Sequence, residues 1–122
     1  MLRRCLSLHL IKFDIYVRSG KKALEYMKNY INVAKKVKKL IHTYWPKAKI
    51  YVFGSVINGR YTAASDIDIL VVLDKKPNPK EEVEVKASIY MRLDAPIQLH
   101  IVSRRELEFW YKRFIDRIIE IP

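Results

Sequence analysis

The chain contains one cysteine, Cys5. No disulfide can form within it, and that usage suits a reducing compartment. No apolar run approaches the length of a membrane-spanning helix. The opening Met1-Leu-Arg-Arg-Cys-Leu has the charge of a secretory leader, but Lys12 and Asp14 interrupt the apolar run and no small-residue cleavage site follows. A cytoplasmic protein with no membrane contact is the expectation. Internal repeats and low-complexity tracts are absent as well. Acids are scarce at one end only. Residues 1–50 hold thirteen Lys and Arg against Asp14 and Glu25, a net +11, whereas residues 51–122 hold eleven of each sign. The net charge of +11 therefore belongs wholly to the N-terminal part.

What is present is ordinary globular material: 122 residues, half of them apolar and 30% charged, enough for one domain and one core. Residues 21–122 are expected to form that domain. Residues 1–20 read as an uncertain N-terminal extension, because Leu6, Leu8 and Leu10 alternate and the phase then slips through Phe13, Ile15 and Val17. An edge strand, a short helix and a stretch outside the native protein all remain open for them. From Lys21 to about Tyr44 the spacing predicts a helix, with Leu24, Met27, Ile31, Ala34, Ile41 and Trp45 on its apolar side and Tyr30 and Val37 at the margin. Lys21, Lys28, Asn32, Lys35, Lys36 and Lys39 take the opposite side. Lys38 falls inside the apolar stripe and must snorkel or sit near an end. The lysine face offers a surface for nucleic acid or an acidic partner; a solvated face with nothing bound is the alternative.

Two apolar runs, Lys49 to Phe53 and Ile67 to Leu73, read as short buried strands. Glu81 to Leu93 alternates like a strand, yet Pro79 followed by Glu81 and Glu82 signals a helix start. Ala95 to Val102 reads as a third strand, with Gln98 and His100 on one face. Ser103 and Glu106 form a capping box opening a last helix, whose Leu107, Trp110, Phe114 and Ile118 would face the core.

Chemistry concentrates between the first two strands. Gly54 permits a tight turn after a strand, and Ser55 is suited to begin a short helix ending near Gly59, where free N–H groups would receive a phosphate. Asp66 and Asp68, two apart in a strand, project from the same face. Paired carboxylates repel unless a cation lies between them, and a divalent metal resolves that conflict. Phosphate at one strand end and metal at the other is the layout of a site for a metal-bound nucleoside triphosphate.

Gly54-Ser55, ten intervening residues, and Asp66-x-Asp68 resemble the G-S-x10-D-x-D signature of the DNA-polymerase-beta-like nucleotidyltransferases. More narrowly, the chain resembles the minimal nucleotidyltransferases, small prokaryotic proteins often encoded beside a HEPN-domain protein. The resemblance covers roughly Tyr44 to Tyr111. It implies an α/β fold of the polymerase-beta palm type, a small mixed sheet flanked by helices, and a helix over residues 81–93. It also implies transfer of a nucleotidyl group, AMP from ATP, to an acceptor hydroxyl, with Mg²⁺ or Mn²⁺ on Asp66 and Asp68. Gly54 and Ser55 would hold the triphosphate, and Ser65 either does so too or caps its loop. By the same resemblance, the acceptor would be a tyrosine of a HEPN toxin and this chain the antitoxin; a homodimer is a further expectation. In the family a third acid on the later strand helps hold a second metal. Gln98 takes that catalytic slot here, and a neutral amide is a poorer Mg²⁺ ligand than a carboxylate. Asp94 and His100 are the neighbouring candidates. An RNA-modifying enzyme, or a binding module acting by contact alone, is the rival reading.

Overall fold

The two Ile- and Val-rich runs form strands with the bounds that the sequence predicts, β1 at Lys49–Phe53 and β2 at Ile67–Leu73. They pair antiparallel, from Lys49 opposite Val72 to Phe53 opposite Asp68. The computed structural model describes residues 17–111, 113 and 117–122, with the side chains of Trp110 and Tyr111 excepted. The readings placed on residues 1–16, Trp110 and Phe114 lie outside that description. Strand β3, Ile97–Ser103, runs parallel to β2. A parallel neighbour requires a crossover, and helix α3 at Pro79–Arg92 supplies it. The helical reading of residues 81–93 therefore prevails over the alternating one. Asn78 caps α3 by accepting the Glu81 N–H at 2.8 Å, with Pro79 in the first turn where a missing N–H costs nothing.

Two elements differ from expectation. Residues 17–28 (α1) and Tyr30–Ile41 (α2) are helical but separated at Asn29. There Asn29 leaves the helical region (φ −104°, ψ 31°), and its backbone N–H and side-chain amide both donate to the Glu25 carbonyl, at 3.0 and 3.1 Å. Val33 and Val37 lie in the core beside Met27, Ala34 and Ile41, whereas Ile31 is only half-buried. The last helix also differs from the expected one. The Ser103–Glu106 capping box forms as read and opens Arg104–Glu106 (α4), which passes into a π-helical Leu107–Tyr111. Ile118 belongs to no helix. It starts strand β4, Ile118–Glu120, which pairs antiparallel with β1 and completes a mixed sheet of order β3-β2-β1-β4.

Alternation along the strands sends Ile50, Val52, Ile67, Ile69, Val71, Leu99 and Ile101 to one face, against Val33, Val37 and Ile41 of α2 and Val85 and Ile89 of α3. Burying each such side chain contributes about 1.5–3 kcal/mol. The other face carries a smaller cluster of Leu70, Val72, Val102 and Leu107, with Tyr51 and Phe53 against it. Lys38 resolves its misplacement by donating Nζ to the Ile121 carbonyl at 3.0 Å. Among the described residues, no helix is long and apolar enough to cross a membrane.

Candidate active site

The second sheet face is also the face of Asp68. This residue shares the parity of Leu70 and Val72, lies opposite Phe53 on β1, and is in register with Gln98 on β3. One residue past Phe53, the chain turns at Gly54 with φ of +86°. A Cβ built there would lie 2.5 Å from Asp68 Oδ2 and 3.3 Å from its Cγ. Two independent constraints thus demand glycine: the left-handed backbone and the carboxylate against it. The Gly-Ser turn and Asp68, separate in sequence, meet in space; Asp66, read as a strand residue, lies in the loop just ahead of β2.

The turn itself corrects one expectation. Residues 55–59 form turns and not a short helix. Gly54 and Gly59 both hold positive φ, +86° and +69°. Only four residues remain between them, too few to propagate a helix. The Arg60 N–H closes the segment on the Ser55 carbonyl at 3.1 Å, and Val56 anchors it in the core. Any anion bound here would meet turn N–H groups instead of a helix end. Ser55 is half-buried, and Asn58, Gly59 and Arg60 are exposed.

Ser65 organises the loop that delivers the acids. Its Oγ accepts the Thr62 N–H at 2.9 Å, and its own N–H donates to the Thr62 carbonyl at 3.1 Å. Asp66 follows, exposed and just ahead of β2. Asp68 and His100 are each 24% exposed, so solvent reaches both, and Asp68 Oδ1 lies 3.3 Å from His100 Nε2. The Phe53 ring flanks the imidazole, with centroids 5.2 Å apart and planes tilted by 55°. His100 lies one same-face step beyond Gln98 and leans back toward Asp68. Sequence reasoning left its role undecided, and only the parallel register brings it to the acid. Gln98 is exposed beside Asp68. Asp94, the other candidate for the missing acid, pairs instead with Lys22 at 2.6 Å. That contact raises the Lys22 pKa, first through the hydrogen bond and then through the charge.

Asp66 and Asp68 provide hard oxygen donors. Among the described residues, no three His, Cys, Asp or Glu side chains converge as a complete metal cluster. Mg²⁺ characteristically takes one or two carboxylates and fills its shell with water and substrate phosphates. The acid pair fits that ion in company with a nucleotide. A cavity of about 500 Å³ lined by Tyr44, Trp45, Lys47, Leu73, Lys75 and Glu81 opens at the opposite end of the strands. The length of β2, roughly 20 Å, separates it from the acids, so the chemistry lies elsewhere.

The model of the nucleotidyltransferase domain family matches residues 34–120. A crystal structure of a protein provisionally named a nucleotidyltransferase is 30% identical; the match covers 72% of this chain and 96% of that one, with a TM-score of 0.61. A second, from Sulfolobus solfataricus and provisionally named in the same way, is 23% identical, with 80% and 84% coverage and a TM-score of 0.53; it speaks for the fold alone. No curated protein matches the chain at significance.

Proposed function

From the premise that this chain belongs to the nucleotidyltransferase domain family, we propose that it binds a nucleoside triphosphate with a divalent cation and transfers AMP from ATP to an acceptor hydroxyl. The observation that carries the reading is the packing of Gly54 on the Asp68 carboxylate. A glycine turn and a carboxylate able to hold a cation meet there on one sheet face. In the reaction, the acceptor oxygen forms a bond to the α-phosphorus and gives its proton to water. The bond from that phosphorus to the β-bridging oxygen breaks, and pyrophosphate leaves. A divalent cation, when bound, neutralises charge developing on the phosphoryl oxygens. The protein's part is positioning. The turn opened by Gly54 and Ser55 would present N–H groups, the Ser65 loop fixes the approach to β2, and Asp66 and Asp68 would aim carboxylates at the triphosphate side. Ser55 and Ser65 are the hydroxyls within this frame that would touch phosphate.

The resemblance to HEPN-associated members supports a tyrosine of a HEPN-domain toxin as the acceptor, with this chain as antitoxin. A second reading is favoured by Gln98, a neutral side chain in register with Asp68. In it, the chain retains nucleotide binding and neutralises its partner by contact. Incubation with each labelled nucleoside triphosphate, Mg²⁺ and the product of a neighbouring HEPN gene tests both readings. Label on a partner tyrosine supports transfer; a stable unlabelled complex supports contact alone. Neither label nor complex would refute the antitoxin assignment.

A further inference from the structure

The two oxygens of Asp68 face different ways. Oδ2 lies against Gly54 and the turn, while Oδ1 faces Nε2 of His100 on β3. Their 3.3 Å separation is longer than a charge-assisted N–H to carboxylate bond, about 2.7–2.9 Å. This long hydrogen bond also sets the two atoms at the spacing of two donors on one ion. Ligands about 2.0–2.2 Å from a shared metal lie roughly 3.0–3.5 Å apart. We propose that His100 Nε2 and Asp68 Oδ1 together bind a divalent transition-metal ion on the β3 side of the site. The proposal rests on the nucleotidyltransferase reading of this face and adds its metal specificity. Gln98, exposed on the same face and beside Asp68, can lend only a neutral carbonyl oxygen. The nitrogen of His100 is therefore the strong donor available where a carboxylate is lacking. Phe53 backs the imidazole and limits its swing. Imidazole favours later transition ions over Mg²⁺, so the β3-side metal should be Co²⁺, Zn²⁺ or a chemical relative, with Mn²⁺ serving as a spectroscopic probe.

The test uses the full chain without nucleotide. Pulsed EPR on protein loaded with Mn²⁺ alone should show coupling to a directly bound ¹⁴N, and the coupling should vanish in His100→Gln. Competition between Co²⁺ and Mg²⁺ should show a preference for Co²⁺ that falls at least about tenfold in the same variant, or 1.4 kcal/mol. Thermal melting checks that the variant folds; should it not, the coupling in the native chain decides alone. Absence of nitrogen coupling in the native protein, or an unchanged Co²⁺ preference in folded His100→Gln, overturns the proposal. A native chain that shows the coupling but fails to bind Mg·ATP upholds the ligand and refutes the nucleotide reading, so the two failures are distinguishable.

Discussion

Gly54→Ala and Gly59→Ala should separate backbone strain from damage to the site. Both glycines hold positive φ, so alanine at either position carries a left-handed cost of about 1–2 kcal/mol. For a chain of this size that corresponds to a fall in melting temperature of about 3–8 °C. The two positions differ in what the new methyl would meet. At Gly59 nothing lies within 4 Å; at Gly54 the methyl would come 2.5 Å from Asp68 Oδ2. Ordinary van der Waals separation requires the carboxylate to withdraw by about 1 Å, whereas metal–ligand distances tolerate about 0.2 Å. Gly54→Ala should therefore weaken Mg·ATP binding by at least about tenfold, or 1.4 kcal/mol. Gly59→Ala should lose similar stability while its affinity stays within about twofold of native. Thermal melting and calorimetric titration with Mg·ATP on both variants make the measurement. Equal affinities in the two variants, whether both retained or both lost, would refute the claim that the turn and Asp68 form one site.

The double variant Asp66→Asn/Asp68→Asn should bind ATP at least about tenfold more weakly in Mg²⁺; unchanged calorimetric affinity would end the metal-site reading. Replacing the exposed Lys28, Lys35 and Lys39 by Gln should leave the melting temperature within a few degrees, since surface changes are usually worth about 0.5 kcal/mol. The same change should weaken association with partner or RNA in a salt-dependent manner, and indifference to both charge and salt would mark a merely solvated face. Gln98→Glu should accelerate single-turnover AMP transfer in Mg²⁺ with ATP affinity nearly unchanged, the mark of an interaction made in the transition state. Brisk native transfer in Mg²⁺ that Gln98→Ala does not slow would show that Gln98 stands outside the chemistry.

The readable parts of this protein are those whose physical cause is local. The strand ends at Phe53 and Leu73 follow from runs of Ile and Val broken by Gly54 and Asp74. The Ser103–Glu106 box follows from two side chains three residues apart. The Gly-Ser and Asp-x-Asp spacing is legible for a less obvious reason. Ten residues between Ser55 and Asp66 let the chain return so that Phe53 faces Asp68, the last rung of the β1–β2 ladder. The spacing records a register, and the register creates the contact.

What was not legible depends on partners remote in sequence. Ile118 continues a helical spacing from Leu107, but its neighbour is Phe53 across an antiparallel ladder. A three-residue edge strand leaves too little pattern to compete with that spacing. The break at Asn29 lies in that one residue's backbone angles, and the apolar periodicity on either side does not reveal it. His100 is the telling case, because its sequence neighbours give equal licence to a structural polar residue and a catalytic one. Its place is fixed by α3, which makes β3 parallel to β2 and sets Gln98 beside Asp68. An antiparallel β3 in that slot would run the same residues the opposite way past the acid and change which of them lies one same-face step beyond it. The place of Gln98 beside Asp68 and the approach of His100 are thus two consequences of one register. A single strand pairing sets a neutral amide and an imidazole together on the β3 side of Asp68.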